Sequence, residues 1–88
     1  MTPATRAAAL IFAITDTAPV YPVARLGSVG GTPWLYLYAG LDLVAMCGPR
    51  DPDPRSRIAV VRVDLRGCRD EVEAMGRVEA QIVPLVLL

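Results

Sequence analysis

Trp34-Leu35-Tyr36-Leu37-Tyr38-Ala39-Gly40-Leu41-Asp42-Leu43-Val44-Ala45-Met46-Cys47 is the stretch that decides the fold class. Two apolar runs flank a short break that contains glycine, which is the pattern of a β-hairpin. Side chains alternate across a strand. Trp34, Tyr36 and Tyr38 therefore share one face, and Leu35 and Leu37 share the other. Neither face is polar. Such a hairpin belongs inside a sheet with another layer packed on it.

Downstream, residues 48–56 form a polar, proline-rich loop. Residues 57–65 then alternate, with Ala59, Val61, Val63 and Leu65 on one side and Arg62 and Asp64 on the other, which predicts a strand ended by Gly67. Residues 70–81 predict a helix. Asp70 can cap it, with Glu73 at capping-box spacing, and Val72, Met75, Val78 and Ile82 make an apolar stripe. Glu73 precedes Arg77 by four residues, the favourable order for an ion pair on a helix. The tail Ile82-Val83-Pro84-Leu85-Val86-Leu87-Leu88 is apolar and reads as a strand. Pro84 confines it to a sheet edge, and apolar edges recruit other strands. Val83, Leu85, Val86 and Leu88 are on that ground the candidate partner-binding residues.

Upstream, residues 7–15 are short and apolar, bounded by Asp16 and Pro19, and fit a strand buried on both faces; periodicity leaves a helix open. Residues 16–33 contain Pro19, Pro22, Gly27, Gly30, Gly31 and Pro33 and read as a loop. The order is strand, loop, hairpin, loop, strand, helix, strand. The expected fold is α+β: a small mixed or antiparallel sheet with a β-hairpin and one covering helix, a ferredoxin-like arrangement being one form of it. Residues 1–88 make a single small domain, or part of one.

The chain is 53% hydrophobic and 20% charged, too apolar for a disordered segment and apolar enough to hold surface for a partner. Nine basic residues balance nine acidic ones, which argues against nucleic acid, whose binding leans on a net basic field. The arginines from Arg50 to Arg69 are interrupted by Asp51, Asp53 and Asp64 and read as a solvated face of mixed charge. Cys47 and Cys68 lack the spacing of a zinc or redox motif, so reduced thiols in a cytoplasmic protein are expected; a disulfide is the alternative for an exported one. The run around Ala7-Ala8-Ala9-Leu10 is too short, and too soon followed by Asp16, for a signal peptide or a membrane span.

Few residues offer chemistry. The sequence has no His, which removes the commonest general base and metal ligand. Gly27-Ser28-Val29-Gly30-Gly31-Thr32 lacks the spacing of a phosphate-binding loop and reads as a turn. Asp51-Pro52-Asp53 lacks the rest of a calcium loop. Trp34, Tyr36 and Tyr38 could stack bases, but the hairpin holds no basic residue, so they are expected under a helix or at a protein interface. No catalysis, no cofactor, no metal and no membrane partner are expected; a protein partner or a homo-oligomer is.

Three segments resemble the N-terminal part of the GvpL/GvpF family of gas vesicle proteins. They are Leu10-Ile11-Phe12-Ala13-Ile14 leading through a Pro-containing loop to Gly27-Ser28-Val29-Gly30-Gly31, then residues 37–46, then Val78-Glu79-Ala80-Gln81-Ile82-Val83-Pro84-Leu85. The chain departs from that family in having no His, in its 50–67 stretch and in its length. The resemblance implies a cytoplasmic, gas-vesicle-associated accessory protein that binds the shell-forming subunit during vesicle assembly, without a cofactor. The rival expectation is a free-standing regulatory α+β domain that self-associates or senses a ligand.

Overall fold

The computed structural model describes the backbone of residues 2–51 and 53–86, and the side chains of residues 2–51 and 53–82. In chain order the elements are α1 (Pro3–Thr15), β1 (Pro22–Val29), β2 (Thr32–Ala39), β3 (Asp42–Gly48), β4 (Ala59–Arg62) and α2 (Glu71–Val86). The four strands form one mixed sheet in the order β1-β2-β3-β4, antiparallel throughout except for the parallel β3–β4 pair. The fold is α+β. Its sequential strand order, with a helix at each end, is not the β-α-β-β-α-β order of a ferredoxin-like domain.

The central hairpin is as expected. Leu37 pairs with Ala45, Ala39 with Asp42, and Gly40-Leu41 makes the turn, with a register shift after Leu37. A second hairpin lies before it. β1 pairs with β2 from Pro22↔Ala39 to Val29↔Thr32. Its two-residue turn is Gly30-Gly31, both at positive φ, the backbone that such a tight turn requires. The loop reading of residues 16–33 is thus corrected. Pro22 is tolerated because it starts an edge strand.

The strand reading of residues 7–15 is also corrected. They belong to α1, which begins at an N-cap, Thr2, whose hydroxyl accepts a hydrogen bond from Thr5 N at 3.1 Å, with Pro3 inside the first turn. Alanine, the strongest helix former, recurs through the segment. Ala7, Leu10 and Ile11 are buried and Ile14 packs beside them, the i, i+3, i+4, i+7 spacing of one helix face.

β4 stops at Arg62, shorter than the 57–65 strand expected, but the alternation holds: Ala59 and Val61 pack on the core, and Val63 and Leu65 are buried beyond the strand end. α2 starts as expected, with Asp70 Oδ1 accepting from Glu73 N at 2.9 Å. It runs past residue 81 to Val86, so the tail through residue 86 is helical and not a strand. Ile82 prolongs the Met75–Val78 stripe onto the core, and the last turn follows it. Val72 is exposed, and its place in the core is taken by Ala74. Glu73 pairs with Arg69 at 3.2 Å, not with Arg77. Arg77 instead donates through Nη1 to the carbonyl oxygens of Asp64 and Arg66, bracing the turn before α2.

One core joins Ala7, Leu10 and Ile11 of α1 and Ala74, Met75 and Val78 of α2 to Leu35, Leu37, Ala45 and Cys47 of the sheet. Arg6 ties the two helices together, with Nη2 2.8 Å from Glu79 Oε1. Both helices lie on the Leu35/Leu37 face. No described helix or strand covers the other.

Candidate interaction surface

The face opposite the helices follows from the registers. β2 contributes Trp34, Tyr36 and Tyr38. Their cross-strand partners are Gly27, Arg25 and Val23 on β1. On the other side, Tyr36 pairs with Met46 and Tyr38 with Leu43 of β3. Met46 pairs in turn with Val60, and Gly48 with Arg62, on β4. The aromatic row, expected under a helix or at a protein interface, therefore runs down a central strand of a sheet face that neither helix covers.

Glycine on each neighbouring strand lets two of the rings lie down. A Cβ on Gly27 would stand 2.8 Å from Tyr36 Cε2, and one on Gly48 would overlap the six-membered ring of Trp34. Trp34 is 6% exposed, whereas Tyr36, Tyr38, Met46 and Val60 are half-buried. Trp34 thus acts as a fixed floor, and the remaining side chains form the accessible apolar surface. Large rigid rings give much contact area for little ordering entropy.

Charge sits at the two edges of this face. Arg25 on β1 is exposed and makes no described salt bridge. Arg62 on β4 is held by Asp51, Nη1 to Oδ1 at 2.9 Å. The strand edge itself is partly blocked. Glu71 Oε1 accepts from Leu26 N at 3.2 Å, and Pro22 has no N–H to offer.

The apolar surface extends to the tip of the β2–β3 hairpin. Tyr21 O accepts from Gly40 N at 2.9 Å, which ties the segment before β1 to the turn that carries Leu41. Leu41 is 99% exposed and Tyr21 79%. Tyr21 has φ 53, a left-handed conformation that is costly for an aromatic residue and doubly so before proline. Strained residues of this kind concentrate at functional sites.

The other candidates look different in space. The backbone of residues 83–86 is helical, so Val83, Leu85 and Val86 do not form a strand edge; their side chains and all of Leu88 lie outside the described residues. Cys47 and Cys68 are both free. Cys47 is fully buried, and that burial pushes its thiol up to about 12, so it is no nucleophile. Asp64 is lowered to about 2 by hydrogen bonds from the Arg66 side chain and backbone, a local turn contact on the surface. No cluster of metal-ligating side chains occurs among the described residues. A groove of about 580 Å³ at the C-terminal end of α1 is lined by apolar and hydroxyl side chains, with Arg57 its one titratable group among the described residues. No helix among the described residues is long and apolar enough to cross a membrane.

Sequence reasoning identified the aromatic row but not its setting. Gly27 and Gly48 carried the missing signal: glycines beside a strand that bears aromatic residues at every second position. Comparison with protein-family models, with curated proteins and with solved structures finds no match.

Proposed function

We propose that this chain is a non-catalytic protein-interaction domain that presents the open face of its sheet to a protein partner. The observation that carries the reading is the row Trp34, Tyr36, Tyr38 on a central strand whose two covering helices both lie on the opposite face. Aromatic side chains dominate the energetics of protein interfaces, and a floor fixed by packing on glycine is already ordered before a partner arrives. Its non-catalytic character rests on the missing imidazole and on the burial of Cys47. The resemblance to gas vesicle accessory proteins makes the shell-forming subunit the first partner to test, in the cytoplasm and during vesicle assembly.

The test is co-purification of the tagged chain with a co-expressed gas vesicle shell subunit. Retention of the subunit, and its loss in Tyr36→Asp and Tyr38→Asp variants that keep the wild-type circular dichroism, is the expected result. A folded chain that neither retains the subunit nor associates with itself overturns the reading. A self-associating domain is the second reading, favoured by the exposed Arg25 at one edge of the face and the Arg62–Asp51 pair at the other.

A further inference from the structure

We infer that the open sheet face pairs with the same face of a second copy of this chain, with Arg25 of each copy set against Asp51 of the other. The inference rests on the open face being the interaction surface and adds to it the identity of the occupant. Closed two-fold contacts are self-complementary: whatever one copy offers at one edge must be met at the other. Consider a two-fold axis parallel to the strands and lying between two stacked sheets. It places β1 of one copy over β4 of the other and keeps each residue's level along the strand. Arg25, Tyr36, Met46 and Val60 share one level. Arg62, which holds the Asp51 carboxylate, lies one pleat repeat away, beyond Val61. An exposed, long arginine side chain spans that offset, and stacked sheets sit only about 10 Å apart. The cation that lacks a described carboxylate would then meet an acid at both ends of the interface. The aromatic row on β2 of each copy would lie over Leu43 and Met46 on β3 of the other, on either side of the axis.

The size of the face sets the expected strength. Four strands spaced about 4.8 Å apart, the longest rising about 3.3 Å per residue over eight residues, outline a face on the order of 500 Å². A standard stable interface buries about 800 Å² on each partner. The dimer is therefore weak and concentration-dependent, and edge charge has a visible share in it.

Sedimentation velocity over a series from micromolar to near-millimolar protein tests this. The wild type is expected to show a reversible monomer–dimer equilibrium. Arg25→Glu and Asp51→Arg should each weaken it by about tenfold or more, and the double variant should recover most of the loss, because opposite charges are restored across the interface. Both positions are exposed, so the variants keep the fold, and circular dichroism checks that they do. A wild type that stays monomeric at every concentration overturns the inference, as does a dimer indifferent to both single changes or not rescued by the pair. In either case, retention of the shell subunit in the co-purification leaves the protein-interaction reading standing. Loss of both brings the two down together.

Discussion

The ring of Tyr36 lies over Gly27, close enough that a Cβ there would stand 2.8 Å from its Cε2. Glycine inside a strand weakens it, so the sheet gives up some backbone stability in exchange for a flat aromatic contact. The same trade recurs at Gly48 under Trp34, with a different margin for relief. Trp34 is nearly enclosed, whereas Tyr36 is only half-buried and can swing outward. Gly48→Ala should therefore cost about 1–3 kcal/mol, the usual penalty for overpacking, and Gly27→Ala distinctly less. Urea denaturation followed by Trp34 fluorescence measures both. Equal costs would mean that Trp34 is not locked in place.

Cys47 predicts alkaline sensitivity. Burial lifts its thiol from 9.0 to about 12 in the folded protein. As pH rises through that interval only the unfolded chain loses the proton. The stabilising effect is complete below 9 and declines between 9 and 12, by on the order of 4 kcal/mol in all. Cys47→Ala removes this term, although it lowers stability at neutral pH by leaving a small void. The gap between wild type and variant should narrow across the interval when unfolding free energies are compared. A constant gap would show that the thiol is not buried in the folded state.

Legibility followed the kind of signal each segment carries. The β2–β3 hairpin and the start of α2 were readable because alternation, a glycine turn and the Asp70 cap are all local. α1 was hidden by a run of apolar residues that suits a buried strand equally well, yet Thr2, Pro3 and the alanines already marked a helix start. β1 was hidden by its punctuation. Pro22 and Gly27 look like loop residues in a list, and only the sheet shows that one opens an edge strand and the other accommodates Tyr36. The side of the sheet on which two helices settle is a tertiary choice, so the aromatic face could be read but not its exposure.

Arg6 and Glu79 join the helices across 73 positions of sequence, with Arg6 Nε and Nη2 both on Oε1 at 2.9 and 2.8 Å. Their side chains are 24% and 38% exposed, so solvent screens the pair only in part. Glu79→Gln should lower stability by about 1 kcal/mol. The more exposed pair Arg55–Asp53 supplies the contrast, with a separation of 3.9 Å. Asp53→Asn should leave the pair's contribution unmeasurable. Urea midpoints at low and high salt give both values. A Glu79→Gln variant as stable as the wild type would mean that core packing alone holds the helices together.

The packing of α2 makes the sharpest prediction. Met75 is 1% exposed, between Ala74 and Val78 at 0%, over the sheet residues of the core. Among the described residues no polar side chain is buried to receive a charge. Met75→Asp would place an unpaired carboxylate there. Either it stays ionised and bears the desolvation cost, or it takes up a proton and loses the packing of the methionine. The cost is several kcal/mol in either case, about the whole stability of a domain this small. Val72 lies one turn from the same stripe but is 44% exposed, so Val72→Asp should cost under about 1 kcal/mol. Met75→Leu keeps shape and polarity and should stay within about 1.5 kcal/mol of wild type. Thermal unfolding by circular dichroism compares the three. The ordering expected is a collapsed transition for Met75→Asp and near-native midpoints for the other two. A Val72→Asp variant as damaged as Met75→Asp would rotate the helix relative to the sheet and return Val72 to the core.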